Sequence, residues 1–185
     1  MKWREIKRQV EADWKRTGGG KKFTSLSILK NVFGGRNTSL QFLFWWRLCS
    51  VDSKIVRCLA KLQRVRLTRK FGLQIPETCL IGAGLELPHA MSVVVHYNAK
   101  IGRSCTIHQF VTIGGDGKGN APVIGDNCFI GAGAVIVGRV VIGNNVTIGA
   151  NAVVNKNIPD NATVGGVPAE VLHYEHPAKY IKNPV

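Results

Sequence analysis

From Ile75 onward an aliphatic residue returns every six positions: Ile75, Ile81, Leu87, Val95, Ile101, Ile107, Ile113, then Ile124, Ile130, Ile136, Ile142, Ile148 and Val154. Neither the helical period of 3.6 nor the alternation of a plain strand produces this spacing, whereas a short strand and a tight turn, repeated, does. Gly82, Gly102, Gly125, Gly131, Gly143 and Gly149 each follow the aliphatic residue, and the pattern assigns them to turns that use glycine's backbone freedom. Three hexads close a triangular coil of about 18 residues; about 13 hexads predict a little over four coils, stacked at ~4.8 Å. The pattern breaks twice. One insertion adds two residues near Met91–Val94, and the other, Gly115–Pro122, lengthens a corner by about five. A coil stack tolerates insertions at its corners, where binding loops project.

Residues 1–74 lack the hexad. Ile6, Val10 and Trp14, and again Ile55, Leu59, Leu62 and Val65, recur at helical spacing, with Gly18–Gly20 and Gly34–Gly35 as breaks. Three or four helices packed on the coils are expected. The domain division is therefore a helical domain over 1–74, a repeat domain over 75–172 and a tail over 173–185.

Charge separates the same regions. Residues 1–74 hold 18 Lys/Arg against 4 acidic residues, which accounts for the whole net charge of +14, while residues 75–185 are balanced. So basic a domain raises a nucleic-acid reading, but no recognised motif accompanies it, and nucleic acid is not an expected partner. The cations, together with the apolar segment Leu40–Trp46, fit peripheral association with an anionic membrane; the competing reading packs these aromatics against the coils. Met1–Arg8 is charged and no apolar leader follows, so the expected location is cytoplasmic, with the inner membrane face as a further station. Cys79, Cys105 and Cys128 share an inward repeat position and read as structural small apolar residues; no metal-ligand spacing is present.

Four segments carry a more specific signal: Leu87-Pro-His89-Ala, Ile107-His-Gln109-Phe-Val-Thr-Ile-Gly-Gly115, Ile124 to Ala134, and Val164-Gly-Gly-Val-Pro168-Ala. In this order, with the intervening loop, they resemble the serine acetyltransferase branch of the hexapeptide-repeat acyltransferases, including relatives from polysaccharide gene clusters. The resemblance implies a left-handed parallel β-helix with a small N-terminal helical domain, assembled as a homotrimer with active sites between subunits. It also implies acetyl-CoA as co-substrate, with no metal. His89 falls on the family's catalytic histidine, a base of neutral-range pKa suited to take the proton of an attacking hydroxyl. Backbone amides near Gly114 and Gly115 are expected to stabilise the oxyanion. Ala132 and Ala150 match positions along the pantetheine arm, Lys156 is assigned to the nucleotide phosphates, and Pro168 to the adenine end. Gln109 either orients the imidazole or the acceptor, or satisfies its own neighbours; Glu86 and Asp116 are read as orienters of His89 or as structural groups.

The chain departs from the serine enzymes at the acceptor. Their Arg-His-Pro segment after the glycine loop is replaced by Asn120-Ala121-Pro122, and their two supporting aspartates by Gln74 and Pro88. Losing an arginine that pairs with a carboxylate weakens the case for serine. The expected acceptor is a sugar hydroxyl in polysaccharide or lipid-linked saccharide biosynthesis, with serine as the alternative and a non-catalytic scaffold as a third reading.

Overall fold

The computed structural model describes residues 1–17, 23–34 and 37–185. Gly18–Gly20 and Gly35, expected as helix breaks, lie outside the described residues. Helix α1 spans Trp3–Thr17, α2 Ser25–Ile28, followed by a π-helical turn over Leu29–Phe33; α3 spans Thr38–Leu48 and α4 Lys54–Phe71. Asn37 caps α3 by accepting from Leu40 N–H at 3.0 Å, and Gly72, at φ 69°, ends α4 in the left-handed conformation.

Thirteen short strands follow. β1 (Leu80–Ile81), β3 (Lys100–Ile101), β6 (Val123–Ile124) and β9 (Val141–Ile142) form one parallel sheet. β4 (Thr106–Ile107), β7 (Phe129–Ile130), β10 (Thr147–Ile148) and β12 (Thr163–Gly165) form the second, closed by antiparallel β13 (Glu170–His173). β2 (Val94–Val95), β5 (Thr112–Gly114), β8 (Val135–Val137) and β11 (Val153–Val154) form the third. The three sheets are the faces of a left-handed β-helix of hexapeptide repeats, preceded by the helical region. Its interior is a stack of triplets, from Ile75, Ile81 and Leu87 up to Val154, Ile158 and Val164, all buried. Cys79, Cys105 and Cys128 are buried and free; burial pushes the Cys79 thiol up to about 11.

The glycines after the aliphatic positions have a different cause from the one expected. None of the six has positive φ. What excludes a side chain is the next coil: a Cβ on Gly125 would lie 2.7 Å from the Gly143 carbonyl oxygen. Left-handed backbone falls instead on corner asparagines. Asn127, Asn145 and Asn161 stack as a side-chain ladder, Asn127 Nδ2 donating to Asn145 Oδ1 at 3.1 Å and Asn145 Nδ2 to Asn161 Oδ1 at 2.9 Å.

Helix α1 buries Ile6, Val10 and Trp14, as its spacing predicts. The segment Leu40–Trp46 lies in α3 and is largely core: Leu40, Phe42, Leu43 and Trp46 are buried, and Trp46 Nε1 donates to the Ile75 carbonyl at 3.1 Å. The aromatics are thus packed, and the membrane-facing role considered for them is withdrawn. Two basic side chains are also internal. Arg47 pairs with Asp13 at 2.9 Å and donates to the carbonyls of Ile81 and Gly82. Arg16 donates to the carbonyls of Gly84, Cys105 and Lys182, tying α1 and the C-terminal tail to two successive coils.

Candidate functional site

The backbone ladder at the corner between the second and third sheets defines a column. Phe110 N–H donates to the Met91 carbonyl, Gly133 N–H to Gln109 and Asn151 N–H to Ala132. Met91, Gln109, Ala132 and Ala150 therefore occupy equivalent positions on successive coils. Glu86 pairs in register with Thr106, so Leu87 matches Ile107. Three residues separate Leu87 from Met91 where His108 alone separates Ile107 from Gln109. The two-residue insertion thus lies within Pro88–Ala90, earlier than expected, and His89 sits on it. Counting hexads alone sets His89, two places after Leu87, directly beneath Gln109, two places after Ile107; the bulge places it beside the foot of the column instead.

His89 has φ 52°, a conformation uncommon for non-glycine residues, and its side chain is exposed. Backbone in such a region is a pointer to function when the surrounding structure enforces it. The His89 ring lies 6.5 Å, centroid to centroid, from His108, which projects outward after β4 and packs on Phe129. Burial holds His108 below the ordinary imidazole range; the Gln109 amide beside it acts in the opposite direction, and His89 adds to the lowering. His108 was within a quoted motif but not singled out, because its position marks it only as an outward strand residue.

His89 opens on a cleft of about 680 Å³ between the coils and the helices, whose lining includes Thr17, Asn37, Ser39, Glu86, Met91 and Gln109. Thr17 Oγ1, Ser39 Oγ and Gln109 Oε1 are buried there without a hydrogen bond of proper geometry. Buried polar atoms are rarely left unpaired, so three in one cleft mark it as built to receive hydrogen-bonding groups. Thr17 and Ser39 come from the ends of α1 and α3, and nothing in the local sequence signals that they meet His89.

The expected supporting groups fall elsewhere. Glu86 is held by Arg16 Nη2 and by Thr106 Oγ1, each at 3.2 Å, and does not bond to His89. Asp116 accepts from Lys118 N–H and from the backbone and side chain of Asn120, which holds its carboxyl below the usual range and closes the loop on itself. Neither orients His89 within the chain. Gly114 and Gly115 leave the third sheet at the edge opposite to the one His89 approaches. There a Cβ on Gly115 would lie 2.9 Å from the His96 ring, and Asn98 Nδ2 donates to the Gly119 carbonyl at 2.8 Å. Within one chain these amides do not face His89. Lys156 is paired to Glu170 at 2.6 Å, and Pro168 is exposed. Along the column, the N–H groups of Ala132 and Ala150 donate no hydrogen bond to any of the described residues, leaving an accessible lane of free amides past two small side chains.

The coil stack, with one buried aliphatic residue per six, defines the class: a hexapeptide-repeat protein of the left-handed β-helix type. Residues 121–156 match the family model of the bacterial transferase hexapeptide (six repeats). The serine acetyltransferase of Synechococcus elongatus is 39% identical over 122 residues, covering 64% of this chain and 48% of that protein. The structure of Neisseria gonorrhoeae serine acetyltransferase in complex with serine superposes with a TM-score of 0.70 at 34% identity, over 90% of this chain and 69% of that one. A serine acetyltransferase in complex with CoA superposes with a TM-score of 0.70 at 26% identity, over 92% and 71%. The chain belongs to the serine acetyltransferase family of hexapeptide-repeat acyltransferases. It spans about half the length of curated relatives that it matches.

Proposed function

We propose that this chain is an acetyl-CoA-dependent O-acetyltransferase with His89 as its general base. The observation that carries the reading is the juxtaposition of the exposed His89 bulge, the polar cleft and the Ala132–Ala150 lane along one corner. The lane's free N–H groups suit the amide carbonyls of a pantetheine arm, and its methyl side chains let that arm approach the backbone. His89 takes the proton of an acceptor hydroxyl as the oxygen attacks the thioester carbonyl. Collapse of the tetrahedral intermediate expels the CoA thiolate, which recovers the proton from His89. In a homotrimer the Gly114–Gly115 amides of a neighbouring copy would be available to this site, which they are not within one chain. Lys156 and Pro168 are proposed for the far end of CoA, Lys156 by exchanging Glu170 for phosphate.

Serine is the acceptor that the relatives' names support, over the sugar hydroxyl expected from the sequence. One observation keeps the sugar as a second reading. The unpaired atoms of the cleft, Thr17 Oγ1, Ser39 Oγ and Gln109 Oε1, are neutral hydroxyl and amide groups of the kind that bind sugar hydroxyls. Following CoA release from acetyl-CoA with L-serine and, separately, neutral oligosaccharides separates the two. His89→Ala should fold normally and lose turnover by about 10²–10⁴-fold. Release with neither acceptor class, or turnover indifferent to His89→Ala, defeats the proposal and leaves the scaffold reading.

A further inference from the structure

Helical spacing of Ile55, Leu59, Leu62 and Val65 predicts a face turned inward, but α4 turns it outward. Ala60 and Leu67 are the buried residues of the helix, while Ile55 is 76%, Leu59 55% and Leu62 66% exposed. At 100° per residue these three, with Val65, fall on the side opposite Ala60 and Leu67. The same helix carries seven Lys/Arg and no acidic residue. Lys61 and Arg64 share the single carboxylate of Glu77, at 3.1 and 2.8 Å. Lys54, Arg66, Arg69 and Lys70 are exposed, and Arg66 and Arg69 continue the apolar stripe along the same face.

We propose that α4 is a docking surface for an anionic lipid bilayer, lying in its interface with Ile55, Leu59 and Leu62 in the apolar boundary and the flanking cations on the headgroups. A helix with an exposed aliphatic stripe bordered by Lys/Arg has the composition of one that lies in a membrane surface rather than crossing it. Among the described residues no helix is long and apolar enough to cross. Charge favours lipid over a two-fold contact with a second copy. A two-fold contact would set this face against itself, opposing its cations with no carboxylate on the helix to separate them. An anionic surface complements them, each cation near it strengthening binding by about fivefold at low salt.

The test is flotation of the full chain with neutral phosphatidylcholine vesicles and with vesicles containing phosphatidylglycerol, at low and high salt, beside sedimentation of the same samples. Wild-type protein should float with anionic vesicles at low salt, less so at high salt, and not with neutral ones. Leu59→Glu with Leu62→Glu should abolish flotation while circular dichroism and CoA release stay unchanged, because both side chains are solvent-exposed and precede Phe71, where the helix meets the cleft, by more than two turns; Arg66→Gln with Arg69→Gln should lower flotation by about 30-fold. Flotation of the double Glu variant at the wild-type level overturns the proposal. So does a wild-type protein that ignores anionic vesicles, and if Leu59→Glu with Leu62→Glu then breaks up a larger assembly, the face joins copies instead. Either result leaves the acetyltransferase reading standing.

Discussion

Replacing Arg16 with methionine tests whether the helical region is locked to the catalytic corner. The guanidinium is 3% exposed and donates to five acceptors: Gly84 O at 2.7 Å, Thr106 Oγ1 at 2.8 Å, Cys105 O at 2.9 Å, Lys182 O at 3.0 Å and Glu86 Oε2 at 3.2 Å. Burial lowers its pKa from the usual arginine value, and Glu86 is the largest influence in the other direction. Methionine fills much of the volume but leaves Glu86 with Thr106 alone and removes the Arg16 donor from the carbonyls of Gly84 and Lys182, while the Cys105 carbonyl keeps the Glu86 N–H. Removing one partner of a buried ion pair costs about 3–5 kcal/mol. For a chain of this size that corresponds to a fall in Tm of about 6–20 °C. Urea unfolding followed by circular dichroism reads the loss directly, and limited proteolysis should show earlier cleavage after residue 173, because Lys182 has lost its anchor. Adding Glu86→Gln to Arg16→Met should recover part of the loss by removing the stranded charge. A loss below about 1 kcal/mol, the range of an exposed pair, would falsify the lock.

Two further outcomes are expected. Ser39→Ala removes a buried hydroxyl that has no partner, so thermal stability should hold or rise, while KM for the acceptor rises about 2- to 12-fold, the worth of one neutral hydrogen bond; an unchanged acceptor KM would mean that the cleft does not hold the acceptor. Glu77 is pushed upward most by burial, but its own backbone hydrogen bond together with Lys61 and Arg64 outweighs this and leaves its pKa below the ordinary glutamate value. A depressed folded pKa contributes stability above the unfolded pKa that is lost as pH falls through the folded one. Acid titration of wild type and Glu77→Gln should therefore begin to converge once the pH falls below about 4, and curves that stay parallel well below that pH would rule this out.

The coil stack was legible because its determinants are periodic: each inward aliphatic is specified by its own hexad and repeats in register with its neighbours. The glycines were found for the wrong reason, since sequence shows that a side chain is missing but not that Gly143 O stands where it would go. Placing the first insertion also needed the ladder, because hexad counting cannot distinguish extra residues at Pro88–Ala90 from extra residues after Met91. His89 was visible through its motif. The cleft around it was not, because Thr17 and Ser39 reach it from 50 or more residues away and look like ordinary helix-end polar residues. For α4, periodicity reported an apolar face correctly and said nothing about what covers it.

The column of Met91, Gln109, Ala132 and Ala150 has one member per coil, so the distance from His89 to the lane is quantised. Each rung is the rise between stacked strands, about 4.8 Å, placing Ala132 about 10 Å and Ala150 about 14 Å above Met91. The protein is therefore a ruler, and its graduations are covalently enforced. A change of one residue within a coil moves every later graduation to a different face, whereas inserting about 18 residues shifts the scale by one whole mark. Reach toward a longer or shorter donor is thus adjustable only in steps of a full turn, while the loop over Gly115–Pro122, which lies outside the repeat, can vary in length without disturbing the scale.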